Sequence, residues 1–172
     1  FYTDMACGPK YFTYINQELP TLCRRFFGIQ PVPERTYIMG LSMGGYGAMK
    51  CAFTAPQQYA GCAGFSSVAE IQAELPQLCR WHEDQAIFPH GIVPPQDDLF
   101  DLVEKFRDGT CPMPRLFLAC GQQDSLYPAN LRLRDTLQAT NWPLTWYEAP
   151  GDHNWFFWND ALGRAMKELL EN

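Results

Sequence analysis

The sequence predicts an α/β protein in which a parallel sheet is flanked by helices. Three observations predict this class. Short apolar runs of strand type alternate with longer segments of helical periodicity, four such runs recur along the chain, and the first leads through a glycine-rich turn into a helix. The chain has 172 residues, 47% of them hydrophobic, which suits a single domain with one core.

The first element is a helix predicted over residues 8–27. Gly28 ends it, and Pro20 lies inside it, where a proline is expected to kink a helix. The apolar side chains that recur at three- and four-residue intervals are Tyr11, Tyr14, Ile15, Leu19, Leu22 and Phe26.

Four strands follow. The first, 36–39, is apolar and is expected to be a buried strand that stops at Gly40. The remaining strands are predicted at 59–65, 115–120 and 144–148. Helices are predicted in the intervals, from the turn after Gly40 through Ala52, over 128–139 and over 154–170.

Residues 66–114 interrupt this alternation. Four prolines, Pro76, Pro89, Pro94 and Pro95, break the segment, and a helix is predicted at 97–106. We expect an insertion or lid over the site, because long irregular segments often serve that purpose. Its aromatic and aliphatic side chains either line an acyl pocket or simply pack, and packing is favoured; they are Trp81, Phe88, Ile92 and Phe100.

The overall charge and hydropathy argue against two classes of partner. The net charge of −6 offers no basic face for a phosphate backbone, so nucleic-acid binding is not expected. No apolar stretch approaches the roughly 20 residues that cross a bilayer, so no membrane segment is expected either.

The seven cysteines follow no metal-ligand spacing and contain no C-x-x-C pair. We interpret them as reduced thiols, most of them buried, which favours a cytoplasmic protein. No signal peptide is visible, although the chain begins without a Met. No metal site is expected.

The segment Gly40-Leu41-Ser42-Met43-Gly44 matches G-x-S-x-G between a predicted strand and a predicted helix. This placement is typical of a nucleophile elbow, in which Ser42 is the nucleophile. A side chain at Gly40 or Gly44 is expected to collide with its neighbours in so tight a turn. The backbone N–H of Met43 would face a developing oxyanion at the helix N-terminus. The alternative is an ordinary turn with a capping serine.

A serine hydroxyl needs a base, and the chain offers His82, His90 and His153. The first two lie in the irregular segment and are interpreted as ordinary histidines. His153 follows the last strand, at the sheet edge where such sites assemble, and is the predicted base. The alternative for His153 is a surface loop histidine.

The third member should be a carboxylate that accepts the other ring N–H of the base. Asp124 follows the strand at 115–120 directly, which makes it the best candidate. The alternative is a turn aspartate that caps the helix near Pro128. Asp152 is a rival by adjacency to His153 alone, because consecutive side chains rarely point at each other.

With these residues in place, the sequence resembles the putative-esterase branch of the α/β-hydrolases, which includes esterase D, S-formylglutathione hydrolases and tributyrin esterases. The resemblance implies that Ser42, Asp124 and His153 form a triad and that the Met43 N–H is one oxyanion donor. The segments that carry it are Phe1 to Met5, Glu18 to Pro20, GLSMGGYGA at 40–48, Gly121 to Asp124, Gly151 to His153, Trp155, and Phe157-Trp158.

The resemblance also implies a function. It points to a serine carboxylesterase for short-chain acyl esters, with thioester hydrolysis, acyl transfer or a non-catalytic binding module as alternatives. We assign Trp155 to substrate binding. A small-molecule ester is the expected partner, a homo-oligomer is allowed for, and no cofactor is expected. Relatives of this kind carry first strands and a second oxyanion donor that we expect to be missing from this chain.

Overall fold

The computed structural model describes residues 1–79, 83–107, 111 and 113–171. Four parallel strands lie side by side in sequence order and form one sheet. They are β1 (Tyr37–Leu41), β2 (Gly61–Phe65), β3 (Arg115–Gly121) and β4 (Leu144–Ala149). Every predicted strand is present, and the α/β class is confirmed.

Eight α-helices are found in the described part of the chain. They are α1 (Tyr11–Thr13), α2 (Leu19–Phe27), α3 (Met43–Thr54), α4 (Ile71–Leu78), α5 (Glu83–Ile87), α6 (Leu99–Lys105), α7 (Tyr127–Gln138) and α8 (Trp155–Leu170).

The first predicted helix is continuous from α1 to α2 but contains a π-helical turn, Tyr14–Glu18. Pro20 lies just after this turn. A proline ring clashes with the carbonyl one turn earlier and cannot donate to it, and a wider turn relieves that clash. Gly28 then ends the helix in the left-handed conformation, with φ 67°.

Alternate residues of the inner strands face opposite sides of the sheet, as the strand period of two requires. On one side, Cys62, Leu116 and Leu118 pack with the buried faces of α3, α6 and α7. On the other side, Ala63, Phe65, Phe117 and Ala119 pack against α8. The sheet is therefore covered by helices on both faces.

The expectation of a buried first strand is wrong, because every residue of β1 is only half-buried. β1 lies at the edge of the sheet and pairs with β2 alone among the described residues. The strand also runs one residue beyond Gly40, to Leu41.

The described residues of the 66–114 segment pack on the α3 side of the sheet. Ile71, Leu75 and Leu99 belong to the core there, as does Phe88. The predicted helix is α6, whose N-cap Asp98 accepts from two backbone N–H groups. Ile92 is 64% exposed, and Trp81 lies outside the described residues. The lid role of this segment stays a prediction.

No helix in the part of the chain that the structure describes is long and apolar enough to cross a membrane. Cys7, Cys23, Cys51, Cys62 and Cys120 form no disulfide.

Candidate active site

Ser42 occupies the junction between β1 and α3 with a positive φ of 55°. Its N–H donates to the carbonyl of Phe65 at the end of β2, over 2.8 Å. Its own carbonyl accepts from the N–H groups of Gly45 and Tyr46, which start the helix. A non-glycine residue persists in this conformation only when its surroundings hold it there. The turn thus projects Ser42 from the end of the sheet.

The glycines around this turn differ in what they permit. A Cβ at Gly40 would lie 2.1 Å from the Gly44 carbonyl oxygen, so the expected collision is present there. At Gly44 the expectation is wrong, because a Cβ would meet only the Tyr2 hydroxyl at an ordinary 3.6 Å. The second close contact is at Gly45, where a Cβ would lie 2.2 Å from Ser67 Oγ.

His153 is brought to Ser42 from the loop between β4 and α8. Its Nε2 lies 2.9 Å from Ser42 Oγ, and its Nδ1 lies 2.8 Å from Asp124 Oδ2. The Asp124 side chain is 0% exposed, whereas that of His153 is 32% exposed. The three residues named from the sequence therefore form one string of hydrogen bonds that runs from the interior to the surface.

The loop after β3 that carries Asp124, here called the acid loop, is held in place by local hydrogen bonds. The second carboxylate oxygen of Asp124 accepts from the N–H of Leu126 over 2.9 Å. Gln123 ties this loop to the histidine loop, because its N–H donates to the Gly151 carbonyl and its side-chain oxygen accepts from the Gly151 N–H. The spacing between Asp124 and His153 is thus set by hydrogen bonds from the main chain and the side chain of Gln123.

The rival candidates are placed elsewhere. Asp152 accepts the backbone N–H of His153 over 2.7 Å, so its carboxylate stabilises the loop while Asp124 faces the ring. His90 is exposed in the 66–114 segment. His82 lies outside the described residues.

Met43 is the first residue of α3, where a backbone N–H has no intrahelical acceptor. Together with Ser42 it lines an open, mainly apolar cavity of about 550 Å³ along β1. An unpaired N–H and the positive end of a helix dipole in such a cavity favour a negatively charged oxygen.

Trp155 is 60% exposed at the start of α8. It lines a second, smaller apolar cavity of about 160 Å³ between β1 and α8. Its ring lies edge to face with Trp158, with centroids 5.5 Å apart.

Two polar side chains that support the site were not found from the sequence. Gln123 joins the two loops, as described above. Asn130 on α7 donates to the carbonyls of Ser67 and Leu126 and accepts the N–H of Ser67, so it connects the end of β2 with the acid loop. No sequence signal marks either residue, apart from the position of Gln123 directly before Asp124.

Within residues 1–79, 83–107, 111 and 113–171, no group of three His, Cys, Asp or Glu side chains could hold a metal ion. Burial, and to a lesser degree the charge of Asp124, raises the pKa of Cys120 to about 12, so this thiol stays protonated beside the site.

Comparison with known proteins gives a consistent set of relatives. The model of the family described as "Putative esterase" matches residues 3–109. The acetyl esterase of Caldicellulosiruptor saccharolyticus is 28% identical over 177 residues, which cover 97% of this chain and 66% of that protein.

Two solved structures from Staphylococcus aureus are each 30% identical to the chain. The fluorophosphonate-binding serine hydrolase F superposes with a TM-score of 0.89, over 99% of this chain and 68% of that one. The S-formylglutathione hydrolase superposes with a TM-score of 0.77, over 92% of this chain and 60% of that one. The chain thus spans about two thirds of the length of these relatives.

Proposed function

The chain belongs to the "Putative esterase" family, with the α/β-hydrolase fold of its structural neighbours, and we propose that it is the catalytic part of a serine carboxylesterase. The observation that supports this most is the string of hydrogen bonds from Asp124 through His153 to Ser42, with lengths of 2.8 and 2.9 Å. A buried carboxylate, an imidazole and a half-buried hydroxyl that lines a cavity, in this order, are what acyl transfer requires.

In the proposed reaction, Ser42 Oγ attacks the ester carbonyl carbon while His153 Nε2 takes the hydroxyl proton. Asp124 accepts a hydrogen bond from Nδ1–H without taking the proton, and this bond fixes the tautomer and stabilises the imidazolium. The Met43 N–H donates to the oxyanion. The imidazolium then returns its proton to the leaving alcohol, and an acyl-Ser42 ester remains. Water, deprotonated by His153, hydrolyses this ester and releases the acid.

We propose short-chain acyl esters as the substrates, with Trp155 as part of the substrate-binding surface. The exposure of Trp155 beside an apolar cavity supports this role. The name of the acetyl esterase relative supports a small acyl group. A cytoplasmic location belongs to the same proposal and is supported by the thiols of Cys7, Cys23, Cys51, Cys62 and Cys120, which form no disulfide.

A second candidate is hydrolysis of the thioester S-formylglutathione, because one 30% identical neighbour carries that name. The same string of residues serves either chemistry, since the tetrahedral intermediates are alike. The two candidates differ in the leaving group, a thiol in place of an alcohol, and in the acyl group, formyl in place of acetyl or butyryl.

The test labels the intact protein with a fluorophosphonate and maps the modified peptide. We expect the label on Ser42 and none on Ser125, an exposed serine in the acid loop. Activity is then compared on nitrophenyl esters of increasing acyl length and on S-formylglutathione. We expect acetate and butyrate esters to be hydrolysed fastest. Labelling of another serine, or no hydrolysis of any of these substrates, would contradict the proposal.

A further inference from the structure

His153 makes one contact that its proposed role as a base does not explain. Its ring lies edge to face with that of Trp158, with centroids 4.9 Å apart and an interplanar angle of 86°. Trp158 is on the first turn of α8 and is buried. An aromatic pair of this geometry is attractive beyond the area that it buries.

The contact has a geometric consequence for the imidazole. Two hydrogen bonds, at Nδ1 and at Nε2, hold the ring along the line from Asp124 to Ser42. The ring is also joined through Cγ to Cβ, and it turns about the χ1 and χ2 torsions of the side chain. Trp158 packs against the ring and restricts these torsions further, so that small rotations away from Ser42 are opposed.

Trp158 is itself held by a hydrogen bond to the residue that follows β2. Its Nε1–H donates to Ser66 Oγ over 3.1 Å, between residues that are 92 positions apart in the sequence. Trp155 lies edge to face with it at 5.5 Å. The indole therefore has one polar anchor in an otherwise aromatic setting, and a buried N–H without that anchor would be costly.

Ser66 shows signs of being held in place for this contact. It is fully buried and has a positive φ of 46°, which is uncommon for a serine. Its N–H donates to the Ala119 carbonyl over 2.7 Å, and the thiol of Cys120 lies 3.9 Å from its hydroxyl. Strained residues of this kind persist where their neighbours hold them, and they cluster at functional sites.

Ser66 is also tied closely to the nucleophile turn. The residue before it, Phe65, accepts the Ser42 N–H, and Val68 donates to the Ser42 carbonyl. One short stretch at the end of β2 therefore contacts both Ser42 and the tryptophan that packs on His153.

We propose that Trp158, anchored by Ser66, is a positioning residue that sets the plane of His153 so that Nε2 faces Ser42. This inference rests on the proposed function, because it assigns a second support to the same base. In this proposal His153 exchanges protons, whereas Trp158 and Ser66 orient its ring.

The test uses three variants of the intact protein. Trp158→Phe keeps an aromatic ring and removes the N–H. Ser66→Ala removes the acceptor. Ser66→Gly removes it as well, and glycine adopts a positive φ without strain, so this variant is expected to stay folded. Trp142→Phe is the matched control, because Trp142 is a buried tryptophan that packs on Phe53 and its Nε1 has no partner among the described residues.

We expect each of the three variants to lower kcat roughly 10- to 100-fold, with KM within about twofold, because a misdirected base loses rate and not substrate affinity. The double variant Ser66→Ala/Trp158→Phe should lose little more than either single variant, because both remove the same link. Trp142→Phe should keep its kcat. A merely structural role would change the melting temperature and leave kcat of the folded enzyme unaltered.

Two results would overturn the inference. One is a folded Ser66→Gly enzyme with wild-type kcat, whether its melting temperature is normal or lowered. The other is a rise in KM at constant kcat, which would make Trp158 a substrate contact instead. Failure of the proposed function is distinguishable from both, because the wild-type protein would then not take up the fluorophosphonate label at Ser42.

Discussion

Helix α3 carries two polar clusters, and they are built in opposite ways. At its N-terminal end, Ser42 is the last member of the open string with His153 and Asp124. Two turns further along, Lys50 forms a buried ion pair with Asp97 of the 66–114 segment. We refer to Ser42, His153 and Asp124 as the open cluster, and to Lys50, Asp97, Thr3 and Tyr46 as the closed cluster.

In the closed cluster the polar side chains bond to Asp97. Thr3 donates to the Asp97 carboxylate over 2.8 Å, and Tyr46 donates to the Asp97 carbonyl over 2.7 Å. Lys50 is 3% exposed and also lies 4.9 Å over the Phe12 ring. Burial lowers the pKa of Lys50, and the opposing charge of Asp97 counteracts this.

Each cluster contains a buried aspartate, Asp124 in the open one and Asp97 in the closed one. They differ in the group at which the hydrogen bonds end. The open cluster ends on a hydroxyl beside a cavity along β1, whereas the closed cluster ends in the buried ion pair of Lys50 with Asp97. A change in the first should therefore cost reaction rate, and a change in the second should cost stability. The following predictions test this division.

The largest effect is expected for Ser42→Ala. Turnover of a nitrophenyl ester should fall by several orders of magnitude, on the order of 10⁶-fold, because Ser42 supplies the hydroxyl that faces His153 among the described residues. The midpoint of chemical unfolding should change little, because the lost hydroxyl lies at the surface end of the cluster. Steady-state kinetics and denaturant unfolding measure the two quantities. Residual turnover near that of the wild type would refute the proposed nucleophile.

Asp124→Asn should lower kcat by roughly a thousandfold or more, because an amide cannot hold the imidazole tautomer that leaves Nε2 free to accept. Asp152→Asn is the matched control, and its effect should be below about tenfold because Asp152 bonds to the backbone. If Asp152→Asn gave the larger loss, the assignment of the acid would be wrong.

Lys50→Met breaks the closed cluster. It should lower the free energy of unfolding by about 3–5 kcal/mol, because Asp97 is left as a buried charge without its partner. Adding Asp97→Asn should recover part of this loss, since the uncompensated charge is removed. Denaturant unfolding measures both. Lys105→Met, at an exposed position, should cost no more than about 0.5 kcal/mol. A wild-type midpoint for Lys50→Met would show that the pair is not stabilising.

The smallest effect is expected at Glu74 on α4. Burial raises its pKa to about 7, and the charges of Glu70 and Asp124 add to the shift, while the hydrogen bond from the Glu70 N–H and the charge of Arg132 oppose it. A carboxyl group whose pKa is raised in the folded state is easier to protonate there than in the unfolded chain. Stability therefore falls as the pH rises from the ordinary range of a glutamate through about 7.

Glu74→Gln should remove this dependence and raise the free energy of unfolding at pH 8 by on the order of 1 kcal/mol. The gain is modest because Glu74 is only half-buried and solvent screens its charge. At pH 4, where Glu74 is mostly protonated in both states, the variant and the wild type should differ little in stability. Denaturant unfolding at the two pH values decides the point. If the variant differed from the wild type by the same unfolding free energy at both pH values, the effect would come from packing and not from the charge of Glu74.

Much of this molecule follows from sequence patterns. The strand and helix periodicities predict the order of the elements, and the turn after Gly40 predicts the position of Ser42. The prediction of a buried β1 failed because burial of a strand depends on its neighbours in the sheet, and β1 has β2 alone among the described residues. No sequence pattern marks Lys50 as buried, because lysines are rarely buried, and its pairing with Asp97 explains its position.

The sequence by itself determined the fold class, the strand-turn-helix at Ser42 and the choice of His153 and Asp124, because each depends on local pattern or on the order of elements. Only the tertiary structure decided that Gln123 joins the two loops, that Lys50 meets Asp97, and that Ser66 anchors Trp158 against His153. These contacts join residues far apart in the chain, and no period or spacing encodes them. They exist because the sheet brings the ends of its strands together and leaves each buried polar atom in need of a partner.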